Sequence, residues 1–157
     1  MKPAVERVAA ALREQGIEVG MVEFAQSTRT AEEAAQAVGT DAAHIVKSLV
    51  FLANRAPLLA LVSRSNRVSI DRLSAALGTP IQRADAATVR AATGFAIGGV
   101  APVGHPGPLP VICDADLLRH ETVFAAAGTP NTVFPIDPAD LVRITGARVV
   151  ELKEEEH

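Results

Sequence analysis

Several residue types and segments that would narrow the function are scarce or missing in this chain of 157 residues. A single cysteine, Cys113, excludes an internal disulfide, and its apolar strand-like surroundings predict a core residue. The chain has no Trp, no Tyr and five Phe, which argues against binding single strands by stacking bases on aromatic rings. No apolar run reaches the roughly 18 residues of a membrane-spanning helix, and the N-terminus lacks the apolar core of a signal peptide. We therefore expect a soluble cytoplasmic protein.

The familiar enzyme motifs are missing as well. The chain contains no HExxH, paired CxxC, GxxxxGK[ST], GxSxG or GxGxxG. Its four histidines, His44, His105, His120 and His157, lack the spacing of metal ligands, so no metal site is expected. His44 and His105 could approach a pocket, although surface and loop histidines are the more common case.

The residues that are present describe one compact domain with an uneven charge distribution. With 48% hydrophobic residues, the chain can bury one good core, and we predict a domain over residues 1–152 followed by a charged tail over 153–157. Residues 46–90 carry seven basic and two acidic side chains, whereas the net charge of the whole chain is −3. This basic segment could hold phosphates, or it could be a solvated face of arginines.

Local patterns predict short helices among adjacent short strands. Helices are expected to begin at the capping residues Thr30, Ser69 and Asp85, and two apolar runs around the turn at Asn54 predict a hairpin. Because several strands follow one another without regular alternation with helices, the expected class is α+β. We predict a mixed, mostly antiparallel sheet or partial barrel surrounded by short helices.

One lysine stands inside the apolar segment Ile45-Val46-Lys47-Ser48-Leu49-Val50-Phe51-Leu52. Burying an ammonium group is costly without a dedicated partner, and both alternating sets of this segment are apolar, as in a strand covered on both faces. Lys47 is therefore expected to point into a pocket. The alternative is a lysine at a strand end that extends its ammonium to water.

A dense Gly/Pro segment over residues 98–108 lies between apolar strands. Glycines allow backbone N–H groups to approach a carbonyl oxygen or a phosphate, so Gly98 and Gly99 could form an oxyanion-binding loop. A tight connection is the simpler interpretation. A second small-residue turn over residues 126–131 could form the opposite wall or simply join two strands.

Four separated segments resemble the YbaK/ProX family, the free-standing relatives of the prolyl-tRNA synthetase editing domain. They are STRTAEEAA at 27–35, IVKSLVF at 45–51, GFAIGGVAPVGH at 94–105 and AGT at 127–129. The segments occur in the right order at compatible spacing, and the resemblance extends from about Thr28 to Leu152. It implies a YbaK-like fold and hydrolysis, without metal or organic cofactor, of the ester that joins a wrong amino acid to tRNA.

The resemblance also implies substrates, partners and site residues. The expected substrate is Cys-tRNA(Pro), with Ala- and Ser-charged tRNA also open, and the expected partner is the tRNA acceptor end; docking on prolyl-tRNA synthetase is left open, and neither DNA nor a membrane is expected. Lys47 matches the essential lysine, and Gly98 and Gly99 match the catalytic loop. The expected substrate-binding residues are Ser27, Thr30, Ser48, Ala101, Pro102, Gly128 and Thr129.

Two other functions remain open at the level of the sequence. Because the chain supplies no obvious general base, a non-catalytic module that binds tRNA or a synthetase would use the same pocket. A small-molecule binding protein is the third possibility. The amino acid that would be removed cannot be read from these residues.

Overall fold

The computed structural model describes residues 2–24 and 31–154. Within these ranges, five α-helices are distributed among short strands. The helices are α1 (Pro3–Glu14), α2 (Ala31–Ala37), α3 (Ile70–Leu77), α4 (Ala86–Thr93) and α5 (Pro138–Thr145). Two 3₁₀ helices, Ala42–His44 and Ala115–Arg119, precede β2 and β6 respectively. None of the described helices is long and apolar enough to cross a membrane.

The strands are short, and the longest two contain eight residues each. They are β1 (Val22–Glu23), β2 (Val46–Ala53), β3 (Ala56–Ser63), β4 (Ile81–Arg83), β5 (Val111–Asp114), β6 (Val123–Ala126), β7 (Thr132–Ile136) and β8 (Arg148–Val150). β2 and β3 lie where the sequence predicts a hairpin, whereas the three residues of β4 are too few to show a strand pattern.

The predicted helix caps are present where the structure describes them. Ser69 and Asp85 each accept a hydrogen bond from the backbone N–H three residues further on, at 3.2 and 2.8 Å, and thereby begin α3 and α4. Gly78 and Gly94 end these helices with φ angles of 69° and 79°, in the left-handed region that favours glycine. The expected cap at Thr30 lies outside the described residues.

A five-stranded sheet in the order β4-β2-β3-β5-β8 forms the centre of the fold. β2 and β3 form the predicted hairpin and pair along all eight residues of each strand. Asn54 and Arg55 connect them with φ angles of 50° and 69°, as a two-residue turn of type I′ requires. The contacts of β3 with β5 and of β5 with β8 are parallel.

A second sheet has three antiparallel strands in the order β1-β7-β6. It meets the first sheet at a parallel bridge between Ile45, just before β2, and Phe124 in β6. The described strands thus form two connected sheets rather than a closed barrel. The α+β class with mostly antiparallel pairing is confirmed.

Two apolar clusters lie on opposite faces of the five-stranded sheet. Leu59 and Leu61 of β3 belong to the larger cluster, which also contains residues of α1, β6 and β7. Ala60 and Val62 of the same strand belong to the smaller cluster, together with Leu73 of α3. Because neighbouring residues of a strand point to opposite faces, β3 contributes to both clusters and is buried on both sides.

Candidate functional site

A cavity of about 290 Å³ runs along one edge of β2. Residues from β2, the end of β3, β4, α4 and the loop before β5 surround it. Its lining consists of Val46, Lys47, Ser48, Leu49, Val50, Phe51, Arg64, Arg83, Ala84, Val89, Ile97, Gly98, Val100 and Ala126. The cavity therefore contains three of the residues predicted from the sequence, namely Lys47, Ser48 and Gly98.

The cavity exists because part of β2 has no neighbouring strand on this side. Arg64 N–H donates to Ile45 C=O at 2.8 Å, so the odd-numbered residues of β2 direct their backbone groups towards β3. Even-numbered residues face the other way, as Val50 does when its C=O accepts from Ala84 N–H at 3.3 Å. β4 pairs only with the last three residues of β2. Within the described chain, the backbone N–H and C=O of Ser48 thus face the open edge without a strand partner.

Lys47 is half-buried, and its ammonium is held by the turn after β3. Its Nζ donates to the backbone C=O of Asn66 at 2.9 Å. Burial lowers the pKa of Lys47 below the usual 10.5, and the positive charges of Arg64, Arg83 and Arg67 lower it further. Because an ammonium group has three N–H donors and one is used here, the others are available to a ligand.

A hydrogen-bonded network fixes the residue that holds Lys47. The Asn66 side chain donates from Nδ2 to Asp116 Oδ2 at 2.7 Å. Asp116 Oδ1 accepts from Arg119 at 3.1 Å and from Lys153 at 3.4 Å. The hydrogen bond from Asn66 is the main cause of the lowered pKa of Asp116. The network holds the turn after β3 in place, and with it the Asn66 C=O that binds Lys47.

Ser48 brings an unsatisfied polar atom to the same cavity. Its Oγ is buried and has no hydrogen-bond partner among the described residues. A buried hydroxyl without a partner costs free energy, and native proteins seldom keep one without a reason. Since Ser48 is one of the residues that line the cavity, this hydroxyl lies beside it.

The predicted glycine loop has two different roles. Gly98 lines the cavity with a φ of 93°, and its N–H donates to no group within the described chain. Gly99 N–H donates to Ala96 C=O at 3.0 Å and is therefore already used in a turn. A Cβ at Gly99 would lie 2.9 Å from the backbone of Thr129, so this glycine allows the loop to pack against the turn after β6.

The remaining predicted residues do not line the cavity or lie outside the described chain. Ala101 and Pro102 are buried, and Ala101 C=O is 2.8 Å from the ring Nε2 of His105. Gly128 packs against Ala4, near the start of α1. A Cβ added at Gly128 would lie 2.9 Å from the backbone oxygen of Ala4.

Thr129 belongs to the same turn after β6 as Gly128. Its Oγ1 lies within hydrogen-bonding distance of Asn131 Oδ1 and Thr132 Oγ1, at 3.1 and 2.8 Å. Ser27 and Thr30, which were predicted for the rim, lie outside the described residues. Their roles, like those of the other predicted residues, stay predictions.

Eleven of the fourteen lining residues were not predicted as part of the site, and three of these have side chains that a ligand could use. Arg64 and Arg83 carry charge to the cavity, and the excess of basic residues over 46–90 was the available signal. Ile97 is 60% exposed, which is unusual for a large apolar side chain, and it lies in the quoted GFAIGG segment. An exposed isoleucine at the mouth of a cavity offers apolar contact to a ligand.

The titratable side chains outside the cavity offer no second site. Across the ranges 2–24 and 31–154, no three His, Cys, Asp or Glu side chains form a group that could hold a metal ion. Cys113 is buried in the larger apolar cluster, and burial raises the pKa of its thiol to about 12. His44 bonds Asp41 at 2.9 Å near the surface. Among the described residues, the polar groups at this cavity are those of Lys47, Ser48, Arg64 and Arg83 and the backbone of Gly98.

The chain is similar to known proteins over most of its length. Residues 25–144 match the aminoacyl-tRNA editing domain family. The fold is similar to the crystal structure of a candidate trans-editing enzyme for prolyl-tRNA synthetase, with a TM-score of 0.95, 47% identity and coverage of 99% of each chain.

Two curated proteins are also similar in sequence. YwhH of Bacillus subtilis, an uncharacterised protein, is 29% identical over 130 residues, which are 82% of this chain and 83% of YwhH. EbsC of Enterococcus faecalis, a candidate Cys-tRNA(Pro)/Cys-tRNA(Cys) deacylase, is 23% identical over 129 residues, which are 81% of this chain and 79% of EbsC.

Proposed function

The chain belongs to the aminoacyl-tRNA editing domain family, and on this premise we propose that it removes cysteine from mischarged proline tRNA in trans. The names of two similar proteins support the choice of substrate, since one refers to prolyl-tRNA synthetase and the other to Cys-tRNA(Pro). Family membership supports the coarser activity, the deacylation of aminoacyl-tRNA. The amino acid and the tRNA are the part that needs a direct test.

The observation that carries the proposal is the position of Lys47 beside the open edge of β2. Its ammonium is fixed to Asn66 C=O and borders a cavity that also contains the unpartnered Ser48 hydroxyl. A cation with spare donors can bind the electron-rich oxygens of the terminal nucleotide. The free C=O and Oγ of Ser48 can accept hydrogen bonds from the α-amino group of the amino acid.

In the proposed reaction, water attacks the carbonyl carbon of the ester. The bond between that carbon and the ribose oxygen breaks, the ribose oxygen takes up a proton, and free cysteine leaves. The unused N–H of Gly98 stabilises the negative charge that develops on the carbonyl oxygen. No Asp, Glu or His is among the described residues that line the cavity, so the proton of the attacking water reaches the departing ribose oxygen through the neighbouring ribose hydroxyl, which accepts one proton as it gives up another.

The size of the cavity supports a small acyl group. About 290 Å³ holds a cysteine side chain together with part of the terminal ribose, and the apolar walls from Val89 and Val100 suit a thiol. An apolar pocket discriminates a methylene-sized difference by only about 1–3 kcal/mol. We therefore expect measurable, slower removal of alanine and serine.

A deacylation panel tests the proposal. Proline tRNA charged with Cys, Ala, Ser or Pro is incubated with the wild type and with Lys47→Ala, and the remaining aminoacyl-tRNA is measured over time. We expect the Cys ester to be lost fastest, the Pro ester to persist, and Lys47→Ala to be inactive. Equal stability of all four esters with and without protein would reject the proposal.

A non-catalytic tRNA-binding module is the second candidate. It is favoured by the lack of any carboxylate or imidazole among the described lining residues, since a binding protein needs no base. This function predicts that charged tRNA is retained with salt-sensitive affinity while its ester stays intact. The same panel, combined with a binding measurement, separates the two functions.

A further inference from the structure

Three arginines lie at or next to the cavity, and within the described ranges none of them forms an ion pair with a carboxylate. Arg64 and Arg83 line the cavity, and Arg67 lies in the same turn as Asn66, which holds Lys47. All three side chains are exposed, and none forms an ion pair with any residue in the described ranges. We refer to Arg64, Arg67 and Arg83 as the arginine rim.

Other arginines of the chain show a different arrangement. Three of them lie beside a carboxylate, at distances of 3.1 to 3.7 Å: Arg72 with Glu151, Arg119 with Asp116 and Arg143 with Asp140. Two acidic residues near the arginine rim are already engaged, whereas the exposed Glu154 lies beside Arg67 and donates its N–H to Arg67 C=O at 2.8 Å. Asp85 accepts the Thr88 N–H, and Asp116 binds Asn66, Arg119 and Lys153.

Two separate parts of the fold bring the arginine rim together. Arg64 directly follows β3 and is fixed by the hydrogen bond from its N–H to Ile45 C=O. Arg83 belongs to β4 and pairs with Phe51 of β2. These positions lie on either side of the open segment of β2. Arg64 and Arg83 therefore come together because of how the strands pair, and not because they are close in sequence.

The arginine rim acts on the site electrostatically. All three positive charges lower the pKa of Lys47, which shows that they are close enough to repel its ammonium. Like charges held close together without acidic partners are unfavourable in the free protein. A ligand with several negative charges would relieve this repulsion.

We propose that Arg64, Arg67 and Arg83 bind phosphodiester groups of the single-stranded 3′ end of tRNA and thereby direct its terminal ester into the cavity. This inference rests on the proposed function. Guanidinium groups bind phosphate through two parallel hydrogen bonds, which suits a strand that must be held in one direction. Since the chain has no Trp or Tyr for stacking, charge has to supply most of the affinity for the strand.

The first experiment measures binding without chemistry. The probe is an uncharged, fluorescein-labelled RNA hairpin with a single-stranded 3′-CCA end, and its affinity is measured by anisotropy from 50 to 300 mM KCl. Each phosphate contact on a single strand contributes about 0.7 to the slope of log K against log salt concentration. Arg64→Gln, Arg67→Gln and Arg83→Gln should each lower the slope by about 0.7 and weaken binding about fivefold at 100 mM salt.

Two controls separate the arginine rim from general attraction. Arg55→Gln removes an equally exposed arginine at the far end of β2, in the β2–β3 turn, and should leave the slope unchanged. Arg64→Lys keeps the charge and should retain the slope. An unchanged slope in the triple Gln variant, or equal binding of a blunt hairpin that lacks the 3′ end, would overturn the proposal.

The second experiment distinguishes this proposal from the proposed function. The triple Gln variant should raise KM for the cysteinyl hairpin about a hundredfold, since three contacts are lost. With 3′-O-cysteinyl adenosine, which has no phosphate, the triple Gln variant should lose far less activity than the hundredfold that it loses with the hairpin, and an equal loss with both esters would overturn the proposal. If the wild type hydrolyses neither ester, the proposed function fails, while the salt slopes still decide whether the arginine rim binds the strand.

Discussion

Lys47 carries its charge at a position where burial and three neighbouring arginines disfavour that charge. One hydrogen bond to Asn66 C=O compensates only part of this effect. A chain selected for stability alone would have an apolar residue here, as at the neighbouring positions Val46 and Val50. Retaining a lysine at a cost in stability is the pattern expected of a binding or catalytic position.

We predict that Lys47→Met abolishes activity without destabilising the protein. The rate of deacylation should fall at least about hundredfold, the loss typical for removing one donor at a reacting centre. The melting temperature should stay equal or rise. Deacylation of Cys-tRNA(Pro) and scanning calorimetry measure the two effects. Lys2→Met, at an exposed position, should change neither.

The stability effect of this substitution depends on pH with a defined sign. Folding lowers the pKa of Lys47 from 10.5, so the folded state disfavours the ammonium. The resulting cost is complete below the folded pKa and disappears as the pH rises through 10.5. The gain in the free energy of unfolding for Lys47→Met should therefore be larger at pH 7 than at pH 10, as measured by urea unfolding. A gain that grows with pH would contradict this assignment.

At the scale of elements, the loop before β5 and the turn after β6 pack backbone against backbone. Gly99 meets Thr129, and Gly128 meets the backbone of Ala4 in α1. Neither glycine lines the cavity, yet both determine how closely the loop carrying Gly98 can approach the open edge of β2. Gly99 and Gly128 therefore contribute to the site by positioning the loop and not by contacting a ligand.

We predict that Gly99→Ala destabilises the protein and impairs the site. The added Cβ would lie 2.9 Å from the Thr129 backbone, which cannot rotate away as a side chain would. Overpacking of this kind costs about 1–3 kcal/mol. Gly107→Ala, in the same loop with nothing within 4 Å of the added Cβ, is the matched control and should leave activity unchanged. Urea unfolding and the deacylation assay test the pair, and equal effects of the two substitutions would argue against backbone packing.

Helices and strands could be predicted from the sequence where neighbouring residues determine their ends. Ser69 and Gly78 mark the two ends of α3 through hydrogen bonds and backbone angles that depend on adjacent residues only. The three residues of β4 have no such signal. They form a strand because Ile81 to Arg83 pair with the end of β2, a partner about thirty residues earlier in the chain. Pairing over that distance is decided by the packing of α3 and the sheet.

At the scale of the whole molecule, the five-stranded sheet joins two apolar clusters through β3. Leu59 is fully buried on one face and Leu73 of α3 is fully buried against the other. Because the same strand belongs to both clusters, loss of packing on one face removes support from the other. We therefore expect the described residues to unfold as a single cooperative unit.

We predict that Leu59→Ala and Leu73→Ala each shift one common unfolding transition. Each substitution leaves a cavity and should lower the free energy of unfolding by about 2–5 kcal/mol. With no Trp or Tyr in the chain, far-UV circular dichroism and methyl NMR signals are the suitable probes. Their transitions should coincide for both variants. Separate transitions for the two clusters would show two independent units.

The sequence by itself determined the features that arise from neighbouring residues. A lysine among apolar β-formers, a hairpin around Asn54 and a glycine loop ending near Gly104 are all visible without coordinates, because burial cost, turn preference and backbone freedom are local properties.

Only the tertiary structure decided how these features combine. The open edge at Ser48 exists because β4 stops short of it, the Gly99 amide is used by Ala96, and Arg83 reaches the same mouth as Arg64. Each depends on which strands pair and where a strand ends. Pairing between distant segments results from the packing of the whole core, and no single stretch of residues encodes it.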